Sequence, residues 1–247
     1  MSCLAEPRDI LVYRPILDLR LSFGLMPMSA CDYFERGRMN IEFFFDCSSP
    51  WTYLAFENIQ PLAAEYDAEI VWRPILVGGV FNAVNPGVEY KKRLATEPPR
   101  KMAYFLKDLR DWESAYGLKI IFPPPGHPVN SVKAMRACLV LRHQGKLVSW
   151  ARAAFRAYFG EGLDISSEAV LTKLCDAVDV DPAGLLARIA DQAVKDELRA
   201  NVDEAIARGA FGSPTMYLDE DDMYFGVDRL PLLKIAMERK RNSVSKN

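Results

Sequence analysis

Histidine is scarce in this chain of 247 residues: only His127 and His143 occur, too few for a histidine-rich metal site. A mixed cysteine and histidine site gains no support from the spacing, so no metal is expected. Five cysteines (Cys3, Cys31, Cys47, Cys138, Cys175) include no CxxC pair and are odd in number. That favours reduced thiols in a cytoplasmic compartment over a disulfide framework. Charge of one sign is not in excess either: 31 Lys and Arg against 33 Asp and Glu leave a net charge of −2. Nothing therefore points to a nucleic-acid or polyanion partner. Apolar runs stop far short of the ~18 residues a membrane span needs, so no membrane segment is expected. No period of 20 to 50 residues repeats, and no low-complexity tract occurs before the basic tail at 239–247. What remains is an ordinary globular composition, half hydrophobic and 26% charged, in one domain or one domain with a large insertion.

The stretch that organises the rest is IEFFFDCSSPWTYLAFENIQPLAAEY, from Ile41 to Tyr66. Ile41 to Phe45 is short, aromatic-rich and apolar apart from Glu42, which suits a buried strand. Asp46-Cys47-Ser48-Ser49-Pro50 follows, a cluster of cap and turn formers. From Trp51 the apolar residues Leu54, Ala55, Ile59, Leu62 and Ala63 fall at helical spacing. Proline just inside a helix start, preceded by small hydroxyl residues, marks an N-terminus. Ser48 and Ser49 are thus expected where a strand hands over to a helix. Free backbone N–H groups and the helix dipole favour negative charge there.

Before this stretch, residues 1–38 carry scattered charges and no signal-peptide core. The compact fold is expected to start near Met39, with 1–38 a loosely packed extension or an upstream misassigned start. After it, Glu69 to Leu76 reads as extended, with Pro74 at a strand end or edge. Gly78-Gly79 and Asn85-Pro86-Gly87 bracket an expected loop. Helices are predicted over Arg100–Tyr116, Asn130–His143, Leu147–Phe159, Glu168–Val178, from Pro182, and over Ile189–Arg208. Phe211 to Leu218 reads as a turn feeding a strand, 219–222 as an acidic hairpin loop, Met223 to Phe225 as the return strand, and Leu230 to Arg239 as the last helix. The opening β-α-β and the closing β-β-α are the halves of a thioredoxin fold, an α/β architecture with an all-helical insertion between them.

In redox members of that fold, the strand-to-helix junction holds a Cys-x-x-Cys pair that faces a cis-proline loop. Here the tetrad is Ser49-Pro50-Trp51-Thr52, with hydroxyls at both sulfur positions, so dithiol exchange is unavailable at this site. Cys47 reads as a small buried residue. Ser49 reads equally as a helix cap or as a catalytic group.

The segments FFFDCSSPWTYLA, RPILVGGVF, YFLKDLRDWESAYGLKIIFP, HPVNSVKAMRA, AFGSPTMYL and FGVDRL recur in one order from Met39 to Arg239. On these the chain resembles the 2-hydroxychromene-2-carboxylate isomerase and kappa-class glutathione transferase family of the DsbA-like thioredoxin superfamily. The resemblance implies a thioredoxin-like domain over 39–86 and 196–241 and a helical insertion over 87–195. It implies glutathione as cofactor, with Ser49 as the catalytic serine donating to its sulfur. Ser213, before a cis Pro214, would pair through its backbone with the cysteinyl part. Asp228 would take the γ-glutamyl amino group, with Gly226-Val227-Asp228 at a helix start offering N–H groups to the neighbouring carboxylate. Asn85 matches an asparagine used for glutathione, and Asn130 one common in bacterial relatives, where a helix-cap role is equally at hand. Trp51 and Phe81 would either line an aromatic substrate pocket or pack into the core. A homodimer is implied as well. Three functions stand side by side: the isomerase, a kappa-like transferase or peroxidase on general electrophiles, and a redox-inactive binding protein. Ser49 and Asp228 together speak against the last, since peptide binding requires neither, and the helical block and HPVNSVKAMRA favour the isomerase.

Overall fold

A computed structural model describes residues 38–244, so the expectations for 1–37 and for 245–247 lie outside the described residues. Among the described residues four strands form one sheet in the order β2-β1-β3-β4. They are β1 (Asn40–Phe45), β2 (Glu69–Pro74), β3 (Thr215–Leu218) and β4 (Asp222–Phe225). β1 runs parallel to β2, with Phe45 opposite Pro74, and antiparallel to β3, with Phe44 opposite Thr215. β3 and β4 form an antiparallel hairpin.

β1 is central and both of its faces are covered, which is why it reads as a near-continuous apolar run. Ile41, Phe43 and Phe45 enter the large core, while Phe44 joins Ile75, Val80, Ala205, Ala210 and Tyr217 on the other face. Glu42, the break in the run, shares the Phe44 face and meets Arg208 at 2.6 Å and Arg73 at 3.5 Å. A charge inside a covered strand is tolerated because its partners are there.

Helix α1 (Pro50–Glu65) joins β1 to β2, and α2 (Val77–Val84) follows β2. A 3-10 turn at Tyr90–Lys92 and the short α3 (Arg93–Thr96) lead into the long α4 (Pro99–Tyr116), which ends at Gly117 with φ 62°. Then come α5 (Val132–Arg142) and α6 (Leu147–Phe155), the latter running into a π turn at Arg156–Gly160. α7 (Glu168–Ala177), α8 (Pro182–Arg188) and α9 (Gln192–Ala207) complete the helical block, and α10 (Leu230–Val244) follows the hairpin.

One expectation fails with consequences for the site. The sequence pattern makes Gly78-Gly79 the start of a loop, yet both lie in α2. Glycine disfavours helix by about 1 kcal/mol, but here tertiary contacts outweigh it. Val77 and Val80 are buried, and the Val77 N–H donates to the Asp46 carboxylate at 2.8 Å. A Cβ at Gly79 would lie 3.4 Å from Val202, and one at Gly78 3.4 Å from Tyr90, both ordinary van der Waals contacts. β2 also stops at Pro74, two residues early.

Candidate active site at the first strand-to-helix junction

Ser49 is the N-cap of α1, with extended backbone (φ −105°, ψ 124°) and Pro50 in the first turn. Its Oγ accepts from the Thr52 N–H at 3.3 Å and donates to the Ser213 carbonyl at 3.2 Å. The cap role is therefore real, and it leaves the hydroxyl facing the Ser213–Pro214 loop, whose peptide bond is cis. Thr52 Oγ1 lies 2.8 Å from Ser213 Oγ, which also accepts from the Asp46 N–H at 3.2 Å. The Ser49 and Thr52 hydroxyls are thus both tied to Ser213, one through its carbonyl and the other through its hydroxyl.

Asp46 underpins the junction. Its buried carboxylate accepts from the Ser48 N–H at 2.9 Å and the Val77 N–H at 2.8 Å, tying the turn to α2. Burial raises its pKa above the ordinary 3.8, against the lowering effect of these bonds and of the Ser131 and Ser48 hydroxyls. Cys47 is fully buried, with its N–H 3.3 Å from the Met135 sulfur. Burial, with Cys138 beside it, pushes its thiol well above the ordinary range, so it packs rather than reacts.

Ser49 opens on a cavity of about 730 Å³. Aromatic rings lead away from the junction along one wall of it. Trp51 meets Phe105 edge-on at 5.4 Å, Phe105 meets Phe122 at 5.2 Å, and Phe122 meets His127 at 4.9 Å. Phe81 and Tyr90 form another edge-on pair at 5.6 Å, with the Arg93 guanidinium over Phe81. Lys91 and Arg93 add cationic heads to the lining. His127 Nδ1 lies 2.8 Å from the Tyr158 hydroxyl, and burial lowers the imidazole pKa to about 4. Burial, and Asp46 nearby, raise the Tyr90 phenol above its usual value.

Of the residues singled out from sequence, Ser49, Trp51, Phe81, Asn85 and Ser213 line this cavity. The others lie off its lining. Pro214 is buried and its carbonyl accepts from the Gly226 N–H at 3.1 Å. Val227 packs into the core, with the whole residue at 2% exposure. Asp228 is half exposed, 3.5 Å from Arg229. Asn130 is exposed and accepts from the Val132 N–H at 3.1 Å, the cap-like role. Asn85 also caps, donating to the Phe81 carbonyl at 2.8 Å. Sequence reasoning missed Phe105, read as part of an apolar stripe, and His127, weighed only as a metal ligand. Tyr90, Lys91 and Arg93 carried no local signal. Among the described residues no group of three His, Cys, Asp or Glu side chains is placed to hold a metal ion, and no helix is long and apolar enough to cross a membrane.

A family profile described as the DSBA-like thioredoxin domain matches residues 40–238. This chain belongs to that family. Among curated proteins it is 27% identical over 201 residues to the 2-hydroxychromene-2-carboxylate isomerase of Pseudomonas putida, covering 81% of this chain and 95% of that one. It is 28% identical over 207 residues to glutathione S-transferase kappa 2 of Caenorhabditis elegans, covering 78% and 89%. A solved structure of a 2-hydroxychromene-2-carboxylate isomerase superposes with a TM-score of 0.74 at 26% identity, over 84% of this chain and 98% of that one. The thioredoxin-like α/β fold with a helical block between its halves is thus shared with these relatives.

Proposed function

We propose that this family member is an enzyme: a glutathione-dependent isomerase of the 2-hydroxychromene-2-carboxylate type, with Ser49 as its catalytic residue. One observation carries the reading. The Ser49 hydroxyl stands at a helix N-terminus and lines an aromatic-walled cavity, and the resemblance puts it in the place where redox members of the fold hold a nucleophilic sulfur. A site with no sulfur of its own, but with the groups that stabilise one, suits a borrowed thiolate.

The residues fit such a tripeptide. A free thiol has a pKa near ~8.5 and is mostly protonated at neutral pH. Ser49 Oγ, turned from the Ser213 carbonyl toward the ligand, gives a donor to a sulfur anion. The Trp51 N–H, at the second helical position, has no acceptor within the helix and adds its dipole. Ser213 offers backbone to the cysteinyl part, the Gly226–Asp228 segment offers N–H groups and a carboxylate to the γ-glutamyl end, and Lys91 and Arg93 match further carboxylates. Bound glutathione supplies a thiolate that adds reversibly to an electron-poor double bond. The thioredoxin-like part, 39–86 with 196–241, would hold the thiol, and the insertion, 87–195, would shape the pocket for the aromatic second substrate. Transfer of the thiol onto an electrophile is the second reading, favoured by the relatives named kappa transferases. Three buried free thiols among the described residues suit a cytoplasmic setting, and the resemblance suits a homodimer.

The test is turnover with and without glutathione on 2-hydroxychromene-2-carboxylate and on a chloro-dinitro arene. Ser49→Ala is expected to lower glutathione-dependent turnover by about 10²-fold, the scale of one lost anion donor. Undiminished turnover in that variant would sink the assignment.

A further inference from the structure

His127 is tied down on one edge only. The Val129 N–H donates to the Tyr158 hydroxyl oxygen at 3.2 Å, and the same hydroxyl lies 2.8 Å from His127 Nδ1. Tyr158 is fully buried, so its hydroxyl proton needs an acceptor. Nδ1 is the one within reach among the described residues. If Nδ1 were instead the donor, the phenol oxygen would accept twice and its own proton would be stranded. Tyr158 therefore donates to Nδ1, and the imidazole proton resides on Nε2. Nε2 has no protein partner among the described residues, and His127 lines the cavity at the far end of the wall of Trp51, Phe105 and Phe122.

The local backbone serves this placement. Tyr158 sits in the π turn Arg156–Gly160, a feature often found at functional sites. The Ile121 N–H donates to the Phe159 carbonyl at 2.6 Å, fastening that turn to the loop that carries Phe122 and His127.

We propose that His127 is a second catalytic residue, its Nε2–H holding and polarising an oxygen of the second substrate, with Tyr158 as the positioning residue that sets its tautomer. The inference rests on the reading of Ser49 given above and adds what the second substrate must carry: a carbonyl oxygen conjugated with the carbon under attack. As a C–S bond forms at a conjugated carbon, the displaced electron pair moves toward that oxygen, and it returns when the bond breaks. An N–H at the oxygen stabilises the charge in transit without giving up its proton. Desolvation keeps the ring neutral at physiological pH, so the group acts as a donor rather than as an acid.

The test uses the full chain with 15N-labelled histidine. Long-range proton–nitrogen spectra are expected to show His127 protonated at Nε2, and Tyr158→Phe to lose that single tautomer. With saturating glutathione and 2-hydroxychromene-2-carboxylate as the varied substrate, His127→Phe keeps a ring and removes the donor; kcat/KM should fall roughly 50-fold. His127→Gln, which keeps an N–H, should recover at least about tenfold of that loss. Glutathione affinity by calorimetry should be the same in all three. A proton on Nδ1, or equal turnover by the Phe and Gln variants, would overturn the proposal. Should the wild type show no glutathione dependence, the Ser49 reading falls, and titration of 2-hydroxychromene-2-carboxylate alone decides His127: about tenfold weaker binding to His127→Phe supports it, and equal binding refutes it.

Discussion

The Ser49 side and the His127 side of one cavity are held by different physics. Around Ser49 the bonds are polar: a cap, a buried carboxylate bracing two N–H groups, and the Thr52–Ser213 hydroxyl pair. Around His127 they are mostly aromatic: ring contacts from α4 to its exit loop, and one hydrogen bond to the Tyr158 hydroxyl. Polar bracing resists displacement sharply, because each lost partner strands a buried group. Ring contacts give way more gradually, so that wall can adapt its shape.

The contrast breaks most visibly at Asp46. Asp46→Ala leaves the Ser48 and Val77 N–H groups buried without an acceptor and should cost about 3 kcal/mol in urea unfolding. On the other side, Phe105→Ala should raise the KM for an aromatic second substrate about tenfold, with glutathione affinity by calorimetry unchanged.

The two sides also differ in the sign of their pH dependence. Asp46 has a pKa raised above 3.8, so its contribution is full below that value and is lost as pH climbs through the raised one. His127, lowered from 6.5 to about 4, makes the folded state refuse a proton that the unfolded chain accepts. Its contribution is present above 6.5 and is lost as pH falls toward 4. Packed against it are Phe122 and the Tyr158 phenol, neither of which titrates in that window. Denaturation curves between these values should show slopes of opposite sign removed by Asp46→Asn and by His127→Phe. The smallest effect is expected at exposed Asp228, where Ala should weaken glutathione binding about fivefold and leave stability within about 0.5 kcal/mol. Equal affinity in the titration would end its role.

The Ser49 side was legible because its signals lie within a dozen residues: an apolar run, cap formers, a proline, then helical spacing. The hairpin of β3 and β4 was legible for the same reason, and Gly117 closed α4 as its type implies. The His127 side was not. Periodicity marks Phe105 as apolar-facing but cannot distinguish a core from a cavity wall, since both exclude water. Nor could composition foresee that Gly78-Gly79 would lie in a helix, where burial of Val77 and Val80 and the Asp46 carboxylate outweigh propensity.

By itself, then, the sequence determined the order of the strands, the junction at Ser49 and the family to which the chain belongs, because those depend on short-range caps, turns and hydrophobic periods. Only the tertiary structure decided that rings from α1, α4 and the following loop line one cavity, that a buried tyrosine holds one edge of His127, and that Asp46 braces two elements at once. Those outcomes depend on which distant surfaces are pressed together when water is excluded, and no local pattern carries that information.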